Sequence, residues 1–346
     1  MPIEATAHLP NVVNWRRAVS GQIGARDRWS AGDHGPMSTT PLAASPRIAW
    51  ADVPRHVQDA VERELGSPIR SAITQDGGFS PGTAVRVVCE DGRRAFVKAV
   101  GLALNPDSPG MHRAELHAMS LLPDEVPAPA LLAAYDDGDW VALVLEDIDG
   151  RRPDLPWQGS DVAAMSLALA QLARTEAPGQ LPAFADIVSM LTSWDEVAAD
   201  PAGIDDALLG RLDEMAAAQS LARNVTPGTA LVHWDARADN VLIRGGRAVL
   251  LDWAWASRGA PWLDSLLLAM DFRIQGGPDA DEFLRASACT RDVEPQHLRS
   301  VVVCMVGFWA ERARRPSPPG LPTIRAWQAH CRDHALHWID DGGLWS

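Results

Sequence analysis

The strongest constraint on this chain is one block, LVHWDARADNVLI at 231–243 followed by AVLLDWAWASRGAPWLDSLLL at 248–268. The apolar flanks Leu231-Val232 and Val241-Leu242-Ile243 fit a polar loop held between buried strands. Within that loop His233, Asp235 and Asn240 spell HxDxxxxN. Strands at 241–243 and 248–251, joined by a turn at Arg244-Gly245-Gly246-Arg247, predict a hairpin that returns Asp252 to the same site. In phosphoryl transfer one carboxylate orients the attacking hydroxyl, while an Asn and a second Asp hold magnesium against nucleotide phosphates. The spacing suits that division of labour. An HxD alone reads as a helix-capping aspartate beside a core histidine; the whole pattern with its hairpin and Asp-Trp is far more specific.

Composition narrows the setting. At 346 residues the chain can carry two core-bearing units, and 47% hydrophobic with 22% charged residues marks a globular rather than a disordered protein. A net charge of −14 argues against nonspecific nucleic-acid binding and suits a cationic ligand, although many soluble proteins are acidic. Cys89, Cys289, Cys304 and Cys331 are scattered without CxxC spacing, which suggests neither a zinc site nor a disulfide framework. No N-terminal run has the layout of a secretory signal, and the most apolar stretch, VVVCMVGFWA at 301–310, is too short to span a bilayer. A cytoplasmic location with no membrane partner is expected.

Residues 1–47 carry little periodicity and read as a loop-rich extension, with Met37 a candidate start. Val53, Val57, Val61 and Leu65 then predict an amphipathic helix closed by Gly66. Strands follow at 69–75, 84–90 and 93–100, a helix at 110–122, and strands at 130–135 and 140–146. From 160 the pattern turns helical, with helices expected at 160–175, 183–198, 204–222, 262–275, 278–288, 295–314 and 321–341; the PSPPG run at 316–320 separates the last two.

The block at 231–268 resembles the aminoglycoside phosphotransferase family, relatives of the protein kinases that phosphorylate small molecules. The resemblance, with recognisable motifs over roughly 70–270, implies an α+β, two-lobed protein-kinase-like fold. A small, mostly β N-lobe at 48–147 would bind nucleotide, and a larger, mainly helical C-lobe at 148–346 would carry catalysis and the acceptor. It further implies ATP or GTP and Mg2+ as cofactors and a small-molecule acceptor, cationic in the case of an aminoglycoside.

Other segments take their meaning beside that resemblance. DGGFSPGT at 76–83 sits between strands, as the phosphate-covering loop of a kinase-like N-lobe does. Gly77, Gly78 and Gly82 let the backbone approach phosphate oxygens, and amide N–H groups and Ser80 can donate to them. Taken alone such a loop is just a turn, and it departs from GxGxxG. Lys98 shares a strand face with Phe96 and Val100. It reads either as a lysine snorkelling at a sheet rim or, by the resemblance, as the nucleotide-binding lysine. Such a lysine wants a carboxylate partner, and Glu115 in the next helix is the candidate. Backbone groups around Glu146 and Ile148, where the strand leaves the N-lobe, would meet the base edge.

Asp235 would accept the hydroxyl proton, and Asn240 and Asp252 would be the magnesium ligands. Arg237 either offsets charge on the transferred phosphoryl group or is a surface arginine. His233 is expected to fix loop geometry through its ring nitrogens, and Asp264 to brace the loop through backbone amides. Trp234 stands where many relatives have glycine. Asp271, Asp279, Asp281, Glu282, Asp340 and Asp341 are the candidate anions of an acceptor pocket. Competing readings are a kinase for sugars or amino alcohols, a catalytically silent ligand-binding regulator, and a metal hydrolase, which lacks further histidines at ligand spacing.

Overall fold

The structure, a computed structural model, describes residues 46–345, which fall within one compact unit. The expected extension at 1–47 lies outside those residues except for Pro46 and Arg47. After a 3-10 turn at Trp50–Asp52, α1 (Arg55–Leu65) lays Val57, Val61 and Leu65 against the sheet. Strands β1 (Ile69–Thr74), β2 (Thr83–Cys89) and β3 (Arg94–Gly101) precede α2 (Ser108–Met119). With β4 (Leu131–Asp136) and β5 (Trp140–Leu145) they form one antiparallel sheet in the order β1-β2-β3-β5-β4.

The pleat sorts this sheet's side chains. Trp140, Ala142 and Val144 of β5 join Val85, Val87, Val97 and Ala99 in a core under α1, while Val141, Leu143 and Leu145 face the other way. Buried on both faces, β5 is therefore an unbroken apolar run. Lys98 lies opposite Ala84 of β2 and Leu143 of β5, so its ammonium projects from the face turned towards the second lobe.

That second lobe is mainly helical. It holds α3 (Gly159–Leu172), α4 (Phe184–Ile187), α5 (Ser193–Ala199), α6 (Asp206–Leu209) and α7 (Leu212–Val225). Two short antiparallel pairs follow: β6 (Ala230–Val232) with β9 (Ser257–Gly259), and the hairpin β7 (Val241–Arg244) with β8 (Arg247–Leu250). The chain closes with α8 (Leu263–Gln275), α9 (Ala280–Ala286), α10 (Pro295–Ala313) and α11 (Ile324–Asp340). The central α10 buries Leu298, Val301, Val302 and Val306 against α5, α7 and α11. Among the described residues no helix is long and apolar enough to cross a membrane.

Two expectations of local structure need correction. The helix expected at 183–198 is broken into α4, a 3-10 turn at Ser189–Thr192, and α5. Val188 is extended there, and the Thr192 and Ser193 hydroxyls both donate to Ser189 O, at 3.0 and 3.1 Å, supplying an alternative to the helical ladder. The helix expected at 204–222 splits at Gly210-Arg211 into α6, capped by Asp205 through Ala207 N, and α7. The short β9 was not anticipated, because three residues carry no period to read.

A second apolar cluster joins the lobes, with Leu143 and Leu145 of β5 meeting Leu169 of α3, Val241 of β7 and Leu250 of β8. Reciprocal backbone bonds between Arg151 and Ile243, at 3.1 and 2.7 Å, tie the linker to the hairpin. The buried carboxylate of Asp161 receives the Arg151 guanidinium through both oxygens, at 2.6 and 2.8 Å.

Candidate active site

The loop leaving β6 is held from below by Asp264, in the first turn of α8. Its two carboxylate oxygens each accept a backbone N–H at 2.8 Å, from His233 and from Trp234. Burial pushes the Asp264 carboxyl above the ordinary range, and the two amides oppose that rise. His233 accepts from Asp235 N at Nδ1 (3.1 Å), and its Nε2 meets Leu251 O at 2.9 Å, which makes Nε2 the protonated nitrogen. Burial lowers its pKa, so the ring is a neutral strut joining the loop to the strand before Asp252.

Trp234 carries φ of 56°, a left-handed conformation that costs a bulky residue about 1–2 kcal/mol. Glycine would remove that cost. Yet the indole is buried and meets Phe184 edge-on at 4.7 Å between centroids. Truncating a buried aromatic costs about 3–5 kcal/mol, so packing wins. Trp234→Gly is expected to destabilise the fold by roughly 2 kcal/mol, seen as a lower urea midpoint. A midpoint at or above wild type would mean that the backbone strain dominates.

Asp235 follows with both oxygens engaged. Oδ1 accepts from Arg237 Nε at 2.7 Å, and Oδ2 accepts from Asn240 Nδ2 at 2.7 Å. Burial raises its pKa even though the Arg237 charge works against the rise. Arg237 is a half-buried cation shared between Asp235 and Asp239, the latter at 3.3 Å; desolvation opposes its charge, but those carboxylates outweigh it and hold its pKa above the ordinary value. It is not a surface arginine. Asn240 sits in a 3-10 turn at Ala238–Asn240, and its O accepts from Leu251 N at 2.8 Å, which places Asp252 beside it.

Asp252, at φ 63°, directs Oδ2 to within 3.5 Å of Lys98 Nζ, and that ammonium also donates to Glu115 Oε2 at 2.6 Å. Desolvation works against the Lys98 charge, but Asp252 and Glu115 outweigh it and hold the pKa above an ordinary lysine. Burial pushes Glu115 up to about 7, with Lys98 opposing. Desolvation works to raise Asp252, but the Lys98 charge beside it keeps the carboxyl below its usual value. His112 was missed from the sequence although it lies one helical turn before Glu115, on the same face of α2. It is buried, and burial lowers its pKa to about 3, so the ring is neutral.

Above this pair runs the loop before β2. A Cβ on Gly82 would lie 2.3 Å from Ala99 O, so only glycine lets the loop close onto β3. Ser80 Oγ accepts from Gly82 N at 3.4 Å. Arg47 donates to Gly77 O from Nε and Nη2, at 3.1 and 2.6 Å, and Arg152 donates to Asp76 O. No periodicity in the sequence flagged Arg47.

One cavity of ≈ 380 Å3 collects these groups. Gly78, Ser80, Lys98, Glu115, Asp235, Arg237, Asn240 and Asp252 all line it, as do Arg47, His112 and Asp271. Glu146 and Ile148 do not. Glu146 N donates to Ala130 O, and its carboxylate accepts from Arg244 Nη1 at 2.6 Å. Ile148 O accepts from Gly150 N at 3.1 Å and from Arg86 Nη2 at 3.3 Å, while Arg86 pairs with Asp147 at 2.6 Å. Glu146 N, the Glu146 carboxylate and Ile148 O are thus engaged at the junction between lobes.

Of the expected acceptor anions, only Asp271 reaches the cavity. Asp279 caps α9, and Asp281 accepts from Trp338 Nε1 and Leu344 N. Asp340 pairs with Arg211, and Asp341 with His337. Asp271 itself is a strut. Its Oδ2 accepts from Trp157 Nε1 at 2.9 Å and Ala238 N at 3.0 Å, while Oδ1 is buried without a hydrogen-bond partner.

Burial pushes Asp271 to about 7, far above a carboxyl in the unfolded chain. The folded state therefore holds a proton that the unfolded state has released between pH 4 and 7, and stability falls as pH rises through that window. Asp271→Asn removes this dependence. The stability of wild type relative to this variant should decline by up to roughly 1.4 kcal/mol per pH unit across the window. Urea melts at pH 4.5, 5.5 and 6.5 that give a constant difference would place the Asp271 pKa near its ordinary value.

The fold and the loop together define a protein-kinase-like phosphotransfer architecture. The sequence profile of the phosphotransferase enzyme family matches residues 76–299, and the chain belongs to that family. Comparison with curated protein sequences gave no match. Among solved structures, choline kinase LicA from Streptococcus pneumoniae superposes with a TM-score of 0.57 at 14% identity, covering 83% of this chain and 99% of that one. A choline/ethanolamine kinase family protein from Mesorhizobium loti gives 0.53 at 15%, covering 78% and 88%. The amicoumacin kinase hAmiN, in complex with AMP-PNP, Ca2+ and Ami, gives 0.52 at 12%, covering 83% and 94%. At these identities the likeness is one of fold.

Proposed function

We propose that this phosphotransferase moves the γ-phosphoryl group of ATP or GTP, with magnesium, to a hydroxyl of a small-molecule acceptor in the cytoplasm. The observation that carries the proposal is the convergence of Lys98, Asp235, Asn240 and Asp252 on one cavity, with Lys98 held by buried Glu115. The acceptor oxygen bonds to the γ-phosphorus as the bond from that phosphorus to the β–γ bridging oxygen breaks. The hydroxyl proton passes to Asp235, and the nucleoside diphosphate leaves. Burial makes Asp235 more basic than a solvated carboxylate, which suits late proton acceptance. Arg237 fixes the carboxylate and offsets its charge, and Lys98, with the loop at Gly78 and Ser80, would meet phosphate oxygens.

Among the described residues no three His, Cys, Asp or Glu side chains group as a metal cage. Magnesium does not need one, since it binds through one or two carboxylates together with waters and nucleotide phosphates. Asp252 fits, with its carboxylate 42% exposed and held ionised by Lys98. Asn240 fits as well, because its amide nitrogen is committed to Asp235 and the carbonyl oxygen remains to coordinate. When bound, the cation would neutralise charge on the phosphate oxygens.

The test is ADP release with Mg-ATP over a panel of aminoglycosides, other hydroxylated antibiotics, amino sugars and amino alcohols. Acceptor-dependent release is expected, abolished by EDTA and restored by magnesium. Calorimetry showing no Mg-ATP binding would undo the kinase reading; binding without transfer to any hydroxyl compound would favour a silent regulator.

A further inference from the structure

The transfer chemistry leaves half of the cavity unexplained. On the C-lobe side its wall comes from α8, α10 and α11 and presents Met270, Ile274, Met305, Phe308, Ile324 and Trp327. The roof is apolar too. Phe79 of the glycine loop lies 6.1 Å from Trp327 between ring centroids, and Asn105 Nδ2 donates to Pro319 O at 2.8 Å, joining α2's approach to the segment before α11.

Each buried carboxylate around this half already holds a partner through one oxygen or both. Asp235 holds Arg237 and Asn240, Asp271 holds Trp157 and Ala238 N, and Glu115 and Asp252 face Lys98. Asp107, at the start of α2, is exposed. The charge that stands against the aromatic wall is positive, since Arg237 Cζ lies 5.8 Å from the Trp327 ring centroid. A polyamine bound here would surrender the hydration of each ammonium and face Arg237, while the two carboxylate oxygens left without a hydrogen-bond partner, Asp271 Oδ1 and Glu115 Oε1, are sealed from solvent. An apolar body would instead remove this wall and itself from water at no such cost.

We infer that the acceptor is an uncharged alcohol with a bulky apolar or aromatic body, its hydroxyl at Asp235 and its body against Trp327, Met305 and Ile274. The inference rests on the kinase reading above and narrows its small-molecule acceptor to a neutral one.

The experiment is calorimetric binding to the full chain loaded with magnesium and AMP-PNP, using 4-phenylcyclohexanol and menthol against kanamycin and choline, at 50 and 500 mM NaCl. The apolar alcohols are expected to bind at least tenfold more tightly than either cation, with affinity unchanged within twofold between the salts. Ile274→Asp should weaken them at least tenfold while AMP-PNP still binds. Kanamycin or choline binding as tightly as the apolar alcohols, and losing affinity in salt, would overturn the inference and leave the kinase reading standing. Apolar alcohols that do not bind at all would overturn it as well. Absence of AMP-PNP binding before any acceptor is added marks failure of the kinase reading instead, and the inference falls with it.

Discussion

Asp235→Asn is expected to lower kcat by roughly 10²–10⁴, the range a positioned general base contributes, while nucleotide affinity stays near wild type. The substitution keeps the shape and removes the proton acceptor. It also replaces one acceptor oxygen with a donor, and the site has no spare. Arg237 Nε and Asn240 Nδ2 each occupy one Asp235 oxygen, so one of them must turn away from the new amide. Asn240 keeps a second bond, from Nδ2 to Asp235 O at 3.0 Å, which holds it near its place. The loss should therefore fall on the chemical step, read by single-turnover transfer, with only a modest change in the magnesium titration. A variant retaining more than about a tenth of the wild-type kcat would remove Asp235 from the base role, because positioning by itself would then account for the transfer. A large shift in the magnesium titration with little change in kcat would instead make Asp235 a holder of Asn240.

What could be read from the sequence was what the chain settles locally. Asp235, Asn240 and Asp252 come together because a short loop and a two-strand hairpin return the backbone within a few residues, and hairpins announce themselves in glycine and apolar spacing. Lys98 could be placed on its face by strand alternation, and Glu115 lay on the next helix. The groups that escaped are joined by long-range packing. Arg47 reaches Gly77 across the start of the N-lobe, and Asp271 reaches Ala238 from the middle of α8. The sign for Asp271 was present, a carboxylate inside the apolar run LLLAMDF, but it marked burial rather than acceptor binding.

Glu146 and Ile148 show what a sequence does not reveal about a linker. Only the folded structure reveals that Ala130 takes Glu146 N and that Gly150 and Arg86 take Ile148 O. Where the other candidate acceptor anions lie was hidden for a related reason. Surface carboxylates at helix ends are usually claimed by caps and by neighbouring arginines, as Asp279 and Asp340 are.

Asp264→Ala should have the largest effect on the fold. The carboxylate is the sole partner shown for two buried N–H groups, at His233 and Trp234, and each one orphaned costs about 1–3 kcal/mol. The left-handed backbone at Trp234 would lose its clamp as well, and such conformations persist only where the surroundings over-determine them. Together these imply a loss of roughly 3–6 kcal/mol, a large part of the stability of an ordinary domain. Asp264→Asn separates the contributions. It retains one acceptor oxygen but turns a donor towards the second amide, so it should recover less than half of the loss. Urea unfolding measures both variants. At low temperature, where Asp264→Asn remains folded, transfer should also fall, because His233 and Asp235 hang from the same two residues of backbone. An Asp264→Asn protein as stable and as active as wild type would show that the loop holds its shape without this clamp. The order of the catalytic groups would then come from the hairpin and from the Asp271 bond to Ala238 N.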